Sequence, residues 1–102
     1  MYIPKPEDTA DVVLSEEISN LTEIIAKNAH ENWAKKKIDD GWMYGEELDD
    51  EACTHPCLVE YENLSEADKE YDRVTAMEAI KLLLKLGYKI TKENAGGKNE
   101  NI

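Results

Sequence analysis

Two stretches of helical period, each opened by a serine and closed by a glycine, constrain this chain more than any other feature of it. The first opens at Ser15, whose hydroxyl can cap an orphan amide, with Glu16 and Glu17 on the positive end of the helix dipole. Leu14, Ile18, Leu21, Ile25 and Ala29 recur every three or four residues and predict one apolar stripe. The spacing predicts a helix to about Ile38 that stops at Asp40-Gly41, with Lys35, Lys36 and Lys37 in its closing turns and Gly41 free to take positive φ. Asn32 and Lys36 stand where the stripe would continue, and Trp33 lies on its flank. The last turns are therefore expected to leave the core and carry Trp33 toward another segment.

The second helix opens at Ser65, with Asp68 in place of the usual glutamate of a capping box, and runs to Leu86 before Gly87. Its apolar residues (Ala76, Met77, Ala79, Ile80, Leu83, Leu84 and Leu86) span a wide arc, while Tyr71 and Leu82 fall on another stripe. A helix apolar over so much of its circumference is expected to be covered on more than one side. Between the helices, residues 41–63 have no helical period, and a loop of that length in a small domain must pack on its own side chains. Trp42, Tyr44, Leu58, Val59 and Tyr61 are the groups that can do so.

Pro4 and Pro6 keep the amino-terminal arm extended, and Asp11–Leu14 reads as a short strand or extended arm. Tyr88–Thr91 alternates like a second strand. The predicted fold class is mainly α: two long antiparallel helices, a long packed connecting loop and short flanking β-strands. The domain is expected over residues 1–91, followed by a polar tail at 92–102 that reads as flexible on composition.

Charge excludes some functions. With 23 acids against 12 bases the net charge is −11, a field that repels phosphate backbones and anionic lipid heads, so neither nucleic acid nor a membrane is an expected partner. The one basic run, Lys35-Lys36-Lys37, suits a helix C-terminus and is followed at once by Asp39 and Asp40. The amino terminus carries acids where a secretion signal carries bases, and no stretch approaches a membrane span. The chain is expected in the cytoplasm with Cys53 and Cys57 reduced.

Cys53, His55 and Cys57 form C-x-H-x-C, three potential zinc ligands without the usual two separated pairs, so a metal is not expected. His30 and Trp33 sit one turn apart, yet no nucleophile or orienting carboxylate stands at recognisable spacing to either, and catalysis is not expected. Arg73, the only arginine, shares a stripe with Met77, Ile80 and Leu84 and so is expected to point inward onto an anion. That anion is either a carboxylate from the acid-rich stretch 39–51 or a ligand's phosphate or carboxylate. Trp33, Trp42, Tyr44, Tyr61 and Tyr71 either cap a small core or line a pocket for a planar ligand.

His30, Trp33, Gly41-Trp42, Tyr44-Gly45, His55-Pro56, Leu58-Val59, Tyr61, Leu64, Lys69, Tyr71-Asp72-Arg73 and Leu86-Gly87-Tyr88, in that order, resemble the RyR domain, the module repeated in ryanodine receptors and found free-standing in bacteria and phages. The resemblance covers roughly residues 2–91, and the chain is read as a single-copy member of the bacterial or phage type. It implies a mainly helical, noncatalytic module without a cofactor; in the receptors such modules come in pairs. Two functions follow as expectations. The chain is an interaction module that pairs with its own copy or with another protein. Alternatively, it senses a small nucleotide-like ligand, with Trp33, Trp42, Tyr44 and Tyr71 as aromatic surfaces and His30 or Arg73 on the phosphate.

Overall fold

Both serines cap their helices in the computed structural model, which describes residues 1–93; from residue 94 on, the expected tail lies outside the described residues. The Ser15 hydroxyl accepts from the amide of Ile18 at 3.2 Å and opens α1, Glu16–Asp39. The Ser65 hydroxyl accepts from the amide of Asp68 at 3.1 Å and donates to its carboxylate at 2.9 Å, opening α2, Glu66–Lys85. Each helix closes through a glycine with positive φ, +96° at Gly41 and +99° at Gly87. In both, the glycine amide and the amide after it reach back to the last turn: Gly41 to Ile38 and Trp42 to Lys37, Gly87 to Leu84 and Tyr88 to Leu83. This pairing satisfies carbonyls that a helix end would otherwise leave open.

The chain is mainly helical, with one small sheet that lies inside the connector. Strands β1, Met43–Tyr44, and β2, Thr54–His55, pair in parallel with Met43 opposite Thr54 and Tyr44 opposite His55. The intervening loop is held by Asp49, whose backbone exchanges two hydrogen bonds with Thr54 and whose carboxylate accepts from the amides of Glu51 and Ala52. A single 3-10 turn, Tyr61–Asn63, leads into α2.

The two strands expected at the flanks do not form. Asp11 lies in a turn closed by the Val12 amide on the Thr9 carbonyl, residues 12–14 continue without a strand, and residues 88–91 are irregular. A strand without a partner leaves its backbone groups unpaired, and neither flank finds one. The arm is instead tied by side chains to α2. The buried Thr9 donates its hydroxyl proton to Glu78 at 2.7 Å, and the Lys85 ammonium donates to the Asp8 carbonyl.

The core sits where the connector returns over α1. Tyr61 and Leu64 pack on the fully buried Ala26, with Val59 and Cys57 beside them. This rotates α1 from its expected orientation. Of the expected stripe, Leu14, Ile18 and Leu21 are half-buried, whereas Ile25 and Ala29 are exposed and Thr22, Ala26, His30 and Trp33 turn inward in the later turns. The rotation has a steric reason: alanine at position 26 leaves room for the Tyr61 ring, which a bulkier residue there would exclude. It also places Trp33 on the inward stripe rather than its flank. On α2, Ala76 and Ile80 are buried, but Ala79, Leu83 and Leu86 remain exposed, so the wide apolar arc is covered less completely than its composition predicts. No helix among the described residues is long and apolar enough to cross a membrane.

Candidate functional site: an aromatic and acidic cleft

Five rings stand in a row across the α1–connector junction. Tyr61 lies 6.1 Å from His30, His30 stacks on Trp33 at 5.5 Å, Trp33 meets the edge of His55 at 4.9 Å, and His55 lies 6.3 Å from Trp42. The row ends under the Lys37 ammonium, 4.1 Å from the Trp42 ring centroid. Helical spacing sets His30 and Trp33 side by side, and β2 delivers His55 to them.

Each histidine is oriented by one backbone hydrogen bond. Nε2 of His30 meets the Val59 carbonyl at 2.7 Å, so Nε2 carries the proton there, and in the neutral ring Nδ1 is an acceptor. Nδ1 of His55 accepts from the Cys57 amide at 3.0 Å, which assigns its proton to Nε2. His30 is 4% exposed and thus holds the connector to α1 from within.

Beside the row opens a cleft of about 230 Å³. His30, Trp33, His55 and Tyr71 supply its aromatic wall; Leu64, Cys57, Asp68 and Asp72 supply the rest. Asp68 and Asp72 are one turn apart on α2 and so project together. Asp68 is already engaged by the Ser65 hydroxyl and by the Cys57 thiol, whose sulfur lies 3.6 Å from the carboxylate. Burial, and then the nearby Asp68 charge, push the Cys57 thiol above its ordinary range. Asp72 is half-buried and has no hydrogen bond or ion pair among the described residues.

Of the six residues singled out for a ligand, His30, Trp33 and Tyr71 line this cleft. Trp42 is one ring removed, behind His55. Tyr44 stands on β1 and is more than half exposed. Arg73 is elsewhere. It neither reaches into the core nor meets the 39–51 stretch: its Nε donates to Glu23 Oε1 at 2.6 Å and a terminal nitrogen to Glu23 Oε2 at 3.2 Å, while the other reaches Glu66 at 3.2 Å. A long guanidinium stem lies along the helix contact and brings its charge to the rim, where carboxylates from both helices are closer than the connector's. The hydrogen bond from Arg73 holds the Glu23 carboxyl below its usual range, and Glu23 in turn holds the arginine above its own. Nearby, the Tyr61 hydroxyl is buried without a well-formed hydrogen bond, and burial, followed by Glu23, pushes its proton loss upward.

Asp68 and Asp72 belong to the cleft without having been singled out, and His55 and Cys57 without having been expected to line it. His55-Pro56 and Tyr71-Asp72 were legible as part of the ordered resemblance; the convergence of Cys57 and Asp68 had no signal in spacing. The cysteines diverge, Cys53 toward the Asp50 carbonyl with a φ of +58° and Cys57 toward Asp68. Among the described residues no three histidine, cysteine or carboxylate side chains are grouped to hold a metal ion. The lysine run is internally engaged, with Lys35 on Asp39, Lys36 on Asp40 and Lys37 over Trp42. Set against known families, residues 2–92 match the family model described as RyR domain, nearly the whole chain.

Proposed function

This chain belongs to the RyR domain family, and we propose that it works as a noncatalytic interaction module that pairs with another protein surface. The observation that carries this reading is the stripe left open on α2. Ala79, Leu83 and Leu86 recur at helical spacing, and Leu86 is 64% exposed, with Tyr88 equally open just beyond the helix. Contiguous apolar surface on a small acidic protein marks a contact rather than a solvated face.

The chemistry of the cleft favours a noncatalytic role. The Cys57 thiol meets a carboxylate rather than a histidine, and that neighbour stabilises the unreactive thiol. Nδ1 of His55 is taken by a backbone amide and Nε2 of His30 by a carbonyl. Among the described residues neither histidine of the cleft is paired to the thiol as covalent catalysis through a Cys–His pair needs.

Light scattering tests the self-pairing version. The expected outcome is a molar mass above that of one chain at high micromolar concentration, rising with salt as the mutual repulsion of two −11 chains is screened. Leu86→Glu should return it to one chain. A single-chain mass at every concentration and salt level removes the homodimer.

A second reading, a small-ligand sensor, is favoured by the cleft itself, where Trp33 and Tyr71 offer aromatic surfaces. The nucleotide form of it is weakened by Arg73, whose guanidinium is held by Glu23 and Glu66 and does not line the cleft.

A further inference from the structure

Three acceptors line the cleft, the Asp68 and Asp72 carboxylates and His30 Nδ1, beside the donors of His55, Trp33 and Tyr71. Asp72 has no partner among the described residues, and Asp68 retains acceptor capacity beyond its bonds to Ser65 and Cys57. His30, nine-tenths buried and lining the same space, has its Nε2 proton on Val59 and leaves Nδ1 without a hydrogen-bond partner among the described residues. Two carboxylates on one side of the site favour an occupant that donates to them. Its charge is one-sided as well, because no lysine or arginine lines it. The two bases nearest in sequence are committed elsewhere: Lys69 to Glu66 and the Tyr61 ring, Arg73 to Glu23, Glu66 and Glu70.

The aromatic wall adds a second requirement. Tyr71 is 75% exposed on the rim, and Trp33 presents its ring inside, so the occupant must tolerate or favour π faces. A cation does so, and the row already shows the contact once, where Lys37 sits over Trp42. An anion is disfavoured by two carboxylates and by a net charge of −11. The volume of about 230 Å³ lies below the range of roughly 300–1,000 Å³ usual for whole small-molecule sites, so it suits a terminal group rather than a nucleotide.

We propose that the cleft receives a cationic nitrogen group, a guanidinium or alkylammonium, with Asp72 as its counter-charge and Trp33 and Tyr71 as its aromatic walls. His30 Nδ1 and Asp68 accept the remaining N–H groups. The group is carried either by an arginine or lysine side chain of a partner or by a free amine. The inference rests on the sensor reading of this cleft and is independent of self-pairing through α2.

The test is an NMR titration of the ¹³C,¹⁵N-labelled chain, following the Trp33 indole N–H, assigned with Trp42→Phe, and the Tyr71 ring C–H signals. The probes are N-acetyl-arginine amide, N-acetyl-lysine amide, the neutral isostere N-acetyl-citrulline amide, agmatine, and adenosine with AMP. Saturable shifts of both signals by a cationic probe, with little response to citrulline amide, support the proposal. Agmatine binding more tightly than the capped amino acids assigns the group to a free amine; the reverse order assigns it to a side chain. Asp72→Asn should weaken the cationic probes by about tenfold, and Tyr71→Ala should weaken them without altering the fold, since that ring is exposed. Equal binding of citrulline and arginine amides, or unchanged affinity in Asp72→Asn, overturns the proposal. Adenosine or AMP moving these signals while the cations do not also overturns it and leaves the sensor reading standing; no response to any probe removes both.

Discussion

Arg73 on α2 grips Glu23 on α1 at two points, Nε to Oε1 at 2.6 Å and a terminal nitrogen to Oε2 at 3.2 Å, so the only arginine of the chain fastens the helices to each other. Its side chain is 29% exposed, sheltered enough for the two-point geometry to hold yet close enough to water for salt to weaken it.

Removing this contact should show in acid. The Glu23 and Glu66 carboxyls are held below their ordinary value by hydrogen bonds from Arg73, so folding gains from their ionised forms above that value and loses the gain as pH falls through the lowered one. Arg73→Met is expected to lower the melting temperature at neutral pH by several degrees and to flatten its decline between neutrality and acid. Thermal unfolding followed by circular dichroism across that range measures both; a decline as steep as the parent's would show that these carboxyls are not the source.

Ala26 is fully buried beneath Tyr61 and Leu64. Ala26→Leu has no space to enter and is expected to destabilise the chain by about 1–3 kcal/mol. Its neighbour Ile25 is 40% exposed, and Ile25→Ala should cost clearly less. Urea unfolding of the two variants tests the rotation of α1 directly, since the opposite order is what a buried Ile25 would give.

His30→Phe keeps an aromatic ring in the row but deletes the donor to the Val59 carbonyl. The stranded carbonyl is expected to cost about 1–3 kcal/mol. Hydrogen exchange around residues 57–64 should accelerate, because this bond ties the connector to α1.

Two glycines should fail for different reasons. A Cβ at Gly45 would stand 2.5 Å from Thr54 Cβ, an atom fixed to the β2 backbone, so Gly45→Ala should prise the two strands apart at about 1–3 kcal/mol. Gly41→Ala meets no atom but must hold φ near +96°, which should cost about 1 kcal/mol. Comparing each with an asparagine substitution separates them. Asparagine tolerates the left-handed region and should recover much of the loss at Gly41, and none at Gly45.

Cys57 should react slowly with iodoacetamide at neutral pH, since burial and Asp68 both favour its thiol form. Asp68→Asn removes the charge and is expected to speed alkylation severalfold, read by mass spectrometry on the Cys57 peptide. An unchanged rate would leave burial, with the Asp72 charge, as the cause.

How much of this was legible follows from the range of the forces involved. The caps at Ser15 and Ser65 and the closures at Gly41 and Gly87 depend on groups within one turn of each other, so residue type and spacing alone predict where both helices begin and end. The cleft was half legible: His30 and Trp33 are neighbours by helical spacing, but Asp68 and Cys57 meet only because the connector returns.

The sequence by itself determined two capped helices, a nonhelical connector between them and an acidic surface, because helical hydrogen bonds, glycine backbone freedom and net charge need no distant partner. Tertiary structure alone decided the rotation of α1 about its axis, the pairing of β1 with β2 rather than of the flanks, and the choice of Glu23 for Arg73. Each of these is a competition among several chemically equivalent partners, and the winner is set by which of them packing brings within reach.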